Sequence, residues 1–160
     1  MLETKLVNFE SEEDCQAFLK LMNTYAEDEA GGGTTLPETV TKNLVNEIKS
    51  FKNVLSIFLI QDSNKIGLAN CIWSFSTFSA RKILNLHDLI ILKDFRGSGL
   101  GSVLLQEMER IAISENACKL TLEVLASNSK ATKLYSKFGF EPYVLDPKFG
   151  PAQFWQKKLV

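Results

Sequence analysis

The chain predicts an α/β fold: one mixed sheet of about seven strands with four helices, in the order β-α-α-β-β-β-α-β-α-β-β. Three observations carry that expectation. Apolar runs of strand composition recur at residues 54–60, 66–75 and 83–92, and a turn signal between the first two reads as an antiparallel meander. A glycine-rich turn at residues 97–101 leads directly into the best amphipathic helix of the chain. A further strand and helix follow, which makes a βαβ unit.

Taken in order, residues 2–9 read as the first strand. Ser11 is placed to cap a helix, and the acids at 12, 13 and 14 favour a helix N-terminus. Ala17, Phe18, Leu21, Met22 and Tyr25 then recur at helical spacing as far as about Glu27, where Gly31, Gly32 and Gly33 break the pattern. A second helix starts near Pro37, with Val40, Leu44, Val45 and Ile48 on its apolar face. The hairpin turn falls at Asp62, Ser63, Asn64 and Lys65. Leu100, Val103, Leu104, Met108, Ile111 and Ala112 form one stripe on a third helix over 99–115, and residues 119–125 form the next strand. Asn128 opens a fourth helix, with Ala131, Leu134, Tyr135 and Phe138 on one face and Gly139 as its stop. Two last strands are expected at 143–145 and 153–159. Without repeats, low-complexity tracts or linkers, residues 1–160 read as a single domain.

Composition narrows the function classes. A length of 160 residues suits one sizeable core, and 45% hydrophobic with 23% charged residues is ordinary for a globular chain. A net charge of −1 gives no electrostatic case for nucleic acid. No apolar run reaches membrane-span length and the first residues lack a signal peptide's apolar stretch, so a cytoplasmic protein with no membrane partner is expected. Cys15, Cys71 and Cys118 are scattered and odd in number, and they read as reduced thiols. A single histidine leaves no basis for a histidine metal site, and no metal is expected.

The turn after residue 92 is the most informative stretch. Glycines at 97, 99 and 101 strip side chains from a strand-to-helix connection, so several backbone N–H groups can face one hollow at a helix N-terminus. That suits a phosphate or pyrophosphate. No Gly-Lys-Ser/Thr closes the turn, which excludes a P-loop, and the third glycine stands at 101 rather than 102, which excludes the dinucleotide fingerprint. The pattern is Arg-x-x-Gly-x-Gly from Arg96, and in it the chain resembles the GNAT superfamily of N-acetyltransferases. A second element, Asn128-x-x-Ala131-x-x-Leu134-Tyr135-x-x-x-Gly139-Phe140, is similar to the same family's downstream signature. The predicted element order matches that family's fold over nearly the whole chain.

The resemblance implies acetyl-CoA (coenzyme A) as acetyl donor. Its pyrophosphate would lie on Arg96, Gly97, Ser98, Gly99, Leu100, Gly101 and Ser102. Its pantetheine arm would lie along the strand at Leu89, Ile90 and Ile91, where backbone groups pair with it like an added strand. Asn128 and Ala131 would contact the coenzyme as well, although Asn128 is already explained as a helix cap. Arg96 also reads as a solvated turn residue. Acetyl transfer requires a neutral amine, an electrophilic carbonyl and a proton for the leaving thiolate. A phenol of pKa about 10 suits an acid for a thiol of about 8.5, and the resemblance assigns that role to Tyr135. From spacing alone Tyr135 is a core aromatic. His87 and Asp88 occupy the family's position for a base or substrate contact, and a histidine suits a base for the amine's proton, directly or through water, because that residue type titrates near neutrality. His87 is equally a structural strand side chain. Glu123 is a rival base or a solvent-facing strand charge.

The acceptor is less defined. Residues 76–84 and the pair at 87–88 resemble diamine acetyltransferases, with one acid where that subfamily carries two. Tyr25, Glu27, Asp28 and Glu29 close the first helix, where the fold shapes its acceptor pocket, and with Asp88 they suit a cationic amine. A free amino acid or a protein N-terminus or lysine remains open, as does a non-catalytic coenzyme A-binding sensor or assembly module. The late strand at 153–159 carries large aromatics, and through it a homodimer is expected.

Overall fold

A serine at position 11 followed by three acids starts the first helix. Ser11 adopts an extended conformation and its side chain accepts from the Asp14 N–H at 3.4 Å. The computed structural model describes residues 1–159, apart from the side chain of Ala30. Its elements are β1 (Leu2–Leu6), α1 (Glu12–Glu27), α2 (Glu38–Ser50), β2 (Val54–Gln61), β3 (Asn64–Ser76), β4 (Arg81–Ile91), α3 (Leu100–Ser114), β5 (Lys119–Leu122) and α4 (Ser129–Lys137). The chain divides into two compact units, Met1–Leu122 and Glu123–Val160.

The first unit holds one mixed sheet in the order β1-β2-β3-β4-β5, antiparallel except for the parallel β4–β5 pair. Asp62 and Ser63 join β2 to β3 with φ of 49° and 67°. Positive φ at both central residues is the type I′ geometry that follows strand twist. On one face of the sheet Phe58, Ile60, Leu68 and Ile90 pack with Phe18 and Leu21 of α1, and Leu44, Val45 and Ile48 of α2 pack against that cluster. On the other face α3 packs against β2, β3 and β4, and its Leu104, Leu105 and Met108 are fully buried.

Two departures from regular pairing matter. In β4, Asn70 faces Asp88 but Cys71 faces Leu86, so His87 is an extra residue without an opposite number, a β-bulge. Side chains directly opposite each other share a face, so Leu86 lies on the α3 face with Cys71 while Asp88 and Ile90 lie on the α1 face with Asn70 and Leu68. One inserted residue inverts the alternation. The second departure is at β5, which pairs with β4 only from Ile83 to Leu86.

The second unit contains α4. Asn128 caps it by accepting from the Ala131 N–H at 3.1 Å. Gly139 at φ 96° ends it, with Gly139 N–H donating to Ser136 and Phe140 N–H to Tyr135, a Schellman closure.

The structure corrects the sequence in three places. Among the described residues the sheet has five strands rather than about seven. Residues 143–145 and 153–159 form no strands: a single Val144–Pro151 bridge stands in their place. Pro142, Pro147 and Pro151 fix φ and remove donors through this stretch, and Gln156, Lys157 and Lys158 interrupt any alternating apolar face. The strand expected to carry a homodimer contact is therefore not formed. The strand expected at 119–125 stops at Leu122, so Glu123 follows β5 rather than lying on it.

Asp14 fastens α1 to the sheet. It is 2% exposed, accepts from the Asn8 N–H at 3.0 Å and pairs with Lys5 and Lys65, each at 3.2 Å. Burial alone would raise its carboxyl, but the Asn8 N–H and the two lysines outweigh it and hold Asp14 below the ordinary value. The resulting stability is fully present above about pH 4 and is lost as pH falls through the lowered folded value. Asp14→Asn is expected to cost about 1–3 kcal/mol at neutral pH. It should also flatten the acid loss of stability in urea titrations across pH, whereas an equally steep acid limb would contradict this role.

Candidate functional site

The glycine turn is built as a hollow. Gly97 and Gly99 hold φ of 82° and 80°, a left-handed backbone that side chains other than glycine's adopt with strain, and a Cβ at either would meet nothing within 4 Å. Gly99 is the N-cap of α3. Among the described residues the N–H groups of Gly97, Ser98 and Gly99 donate to no protein acceptor. Those of Leu100 and Gly101 are the unpaired first donors of the helix. Ser98 and Ser102 turn their hydroxyls back onto Phe95 and Gly99 carbonyls at 2.7 and 2.6 Å. Five successive main-chain donors at the positive end of a helix suit a pyrophosphate, so the residues fit coenzyme A.

β4 leads into this turn with one edge open. The Leu92 N–H donates to the Ile66 carbonyl at 2.9 Å, so Ile66–Leu92 and Leu68–Ile90 are hydrogen-bonded pairs. Ile91 between these pairs, and Leu89 on the other side of Ile90, are non-hydrogen-bonded, and their N–H and C=O groups point away from β3. Past Leu86 no described strand covers that edge. The Ile91 carbonyl confirms the direction, because it accepts from Arg96 Nε at 2.7 Å. Ile90 is turned the opposite way, its backbone to β3 and its side chain fully buried.

The end of α1 reaches both the strand and the turn. Asp28 forms a two-point ion pair with the Arg96 guanidinium through Nη1 and Nη2. The Arg96 hydrogen bond holds the Asp28 carboxyl low against the opposing effect of burial. Tyr25 is half-buried, and burial, then the carboxylates of Asp88 and Asp28, push its hydroxyl above the ordinary value. Tyr25, Asp28, Asp88 and Arg96 are thus one neighbourhood. Glu27 and Glu29 are exposed, and Glu27 accepts from Asn23 at 3.4 Å. His87 is exposed at the bulge.

Tyr135, Asn128, Ala131 and Glu123 belong to the second unit. There Tyr135 packs edge-on to Phe140 with ring centroids 6.0 Å apart. The sequence does not single out Asn70, which lies beside Asp88, or Ser56, which lies on the far side of Asn70. Asn70 donates to Asp88 Oδ2 at 3.0 Å and takes Ser56 Oγ on its own oxygen at 2.7 Å. Their one visible signal is a polar residue inside an otherwise apolar strand run. Among the described residues no cluster of His, Cys, Asp and Glu could hold a metal ion, and no helix is long and apolar enough to cross a membrane.

Comparison with known proteins agrees with the fold. The model of the Acetyltransferase (GNAT) family matches residues 18–140, and the chain belongs to that family. It is 31% identical over 74 residues to the thialysine N-epsilon-acetyltransferase of Bos taurus, covering 46% of this chain and 43% of that one. It is 34% identical over 92 residues to the uncharacterized N-acetyltransferase YhfO of Bacillus subtilis (strain 168), covering 56% and 62%. The chain spans about half the length of the curated relatives it matches. Its fold is that of AAC(6')-Iy, solved in complex with the bisubstrate analog CoA-S-monomethyl-acetylneamine, with a TM-score of 0.75 at 15% identity over 99% of each chain.

Cys71 bears on the reaction class. It is fully buried, and burial, aided by the charge of Asp88 across the sheet, pushes its thiol up to about 12. A thiol in that state is a poor nucleophile. Native protein treated with iodoacetamide at about pH 8 should therefore leave Cys71 unmodified until it is unfolded, as read by peptide mass spectrometry. Rapid native labelling of Cys71 would contradict its placement.

Proposed function

We propose that the protein is an acetyl-CoA-dependent N-acetyltransferase that acts on a primary amine, with a small cationic acceptor favoured, by direct attack. One observation carries the reading most. The bulge at His87 puts Asp88 on the α1 face, where its charge reaches Tyr25, on a strand whose open edge runs into an unencumbered glycine turn.

Acetyl-CoA, when bound, supplies an acetyl group already activated as a thioester. The N–H groups of residues 97–101 would hold its pyrophosphate, and the outward backbone groups of Leu89 and Ile91 its pantetheine amides. Arg96 is engaged by Asp28 and Ile91, so it braces the turn between α1 and β4 more than it offers charge to phosphate. Asp88 receives the acceptor's ammonium, and Tyr25 and Asp28 line the approach. His87, at the bulge, takes the amine's proton directly or through water, with Glu123 the rival base. Once the ammonium has lost one proton to solvent, the neutral nitrogen would bond the acetyl carbon as the carbon–sulfur bond breaks. It sheds its second proton to the base, while Tyr135 gives its own to the departing thiolate and is reprotonated from solvent. The buried, protonated Cys71 argues against an acetylated cysteine on the way. Similarity to thialysine N-epsilon-acetyltransferases supports a small amine acceptor.

The test is thiol release from acetyl-CoA across a panel of amines. Tyr135→Phe is expected to lower turnover about 100-fold or more while leaving coenzyme affinity by calorimetry unchanged. Full turnover in that variant would remove Tyr135 as the acid. Gly99→Glu should abolish coenzyme binding, through both a strained φ and a negative charge in the hollow. No thiol release with any amine, despite coenzyme binding, would favour a sensor.

A further inference from the structure

Ser56, Asn70 and Asp88 form a straight row across three strands, Ser56 opposite Asn70 and Asn70 opposite Asp88. The next row on the same face is Phe58, Leu68 and Ile90, closed over by Phe18 and Leu21. Ser56 and Asn70 are only 4% and 6% exposed. Apolar residues would extend the neighbouring row at no desolvation cost, whereas a buried hydroxyl and amide are costly unless satisfied. Both are satisfied, and in one direction.

A carboxylate only accepts, so the Asn70 amide must turn its NH₂ toward Asp88 and its oxygen toward Ser56. Ser56 Oγ then donates to Asn70 Oδ1 at 2.7 Å, and Asn70 Nδ2 donates to Asp88 Oδ2 at 3.0 Å and to Met22 Sδ at 3.0 Å. The row runs from the middle of the sheet to the end of α1. It occupies one carboxylate oxygen, Oδ2. Among the described residues Oδ1 accepts no hydrogen bond. The bulge is required, because without the extra residue Asp88 would lie on the α3 face and miss Asn70.

We propose that Asn70, oriented by Ser56, is a positioning residue that fixes the Asp88 carboxylate as the anchor for the acceptor's ammonium and so sets the preference for cationic amines. This rests on the acetyltransferase reading above. Asn70 does not touch the acceptor. It acts by holding one oxygen of Asp88 so that the other meets the ligand in a single orientation.

The experiment is steady-state kinetics of the full chain with alkyl diamines and matching monoamines. Asn70→Ala should raise the amine KM about tenfold, leaving kcat and the acetyl-CoA KM unchanged. Ser56→Ala should move the same parameter in the same direction by a smaller factor, and it supplies the test should Asn70→Ala fail to fold. Asp88→Asn should raise the amine KM at least as far, and the Asn70→Ala/Asp88→Asn double variant should be no worse than Asp88→Asn alone. The positioning role is overturned if Asn70→Ala or Ser56→Ala lowers the thermal midpoint while the amine KM stays put, or if the effects of Asn70→Ala and Asp88→Asn multiply. Absence of turnover in the unaltered protein with every amine is a different result. It removes the acetyltransferase reading and this inference with it.

Discussion

The site depends on one extra residue in β4. Register in a sheet is a parity: inserting His87 moves every later side chain of the strand to the opposite face. Before the bulge Leu84 and Leu86 face α3, and after it Asp88 and Ile90 face α1. Asp88 thereby reaches Asn70 and Tyr25 instead of the fully apolar packing under α3. At about the same point β5 stops pairing, so the backbone of Leu89 and Ile91 is left with outward-facing groups. The open edge belongs to one stretch of strand, and the anchor stands at its start.

The C-terminal turn of α1 is the second organising element, through geometry more than energy. The Asp28–Arg96 pair is substantially solvent-exposed, and such pairs contribute only about 0–1 kcal/mol. Its effect is to tie the first residue of the glycine turn to the helix whose Tyr25 feels the charge of Asp88. The Asp28 carbonyl also accepts from the Gly31 and Gly33 N–H groups at 2.8 and 3.0 Å. The glycine run that ends the helix is held by the same residue that braces the donor turn. Asp14 anchors the other end of α1 to β1 and β3, so the helix is fixed at both termini.

Much of this was legible in the sequence where the signal is local. Ser11, Asn128 and Gly139 act as the caps and stop their types and neighbours indicate, and the glycine turn at 97–101 leads directly into α3 as its sequence indicates. Pairing was less legible, because it depends on partners distant in the chain. The β4 bulge has no local marker, since His87 fits a regular strand as well as a bulged one. Without it, Asn70 and Ser56 could not be placed beside Asp88. The two final strands fail for a related reason: aromatic residues at 154 and 155 have strand composition, but Pro151 and the run from Gln156 to Lys158 leave no face to bury. Arg96 matched the glycine motif, yet its engagement by Asp28 arises from tertiary packing across 68 positions of sequence.

Residue-resolved amide hydrogen exchange with and without acetyl-CoA reads the open edge of β4 and the glycine turn together. New protection is expected at Leu89, Ile91 and residues 97–101, with no change at Ile90, whose N–H is already paired to β3. Coenzyme binding that protects none of these amides, or that protects Ile90 and leaves Leu89 and Ile91 exchanging as before, would contradict that expectation.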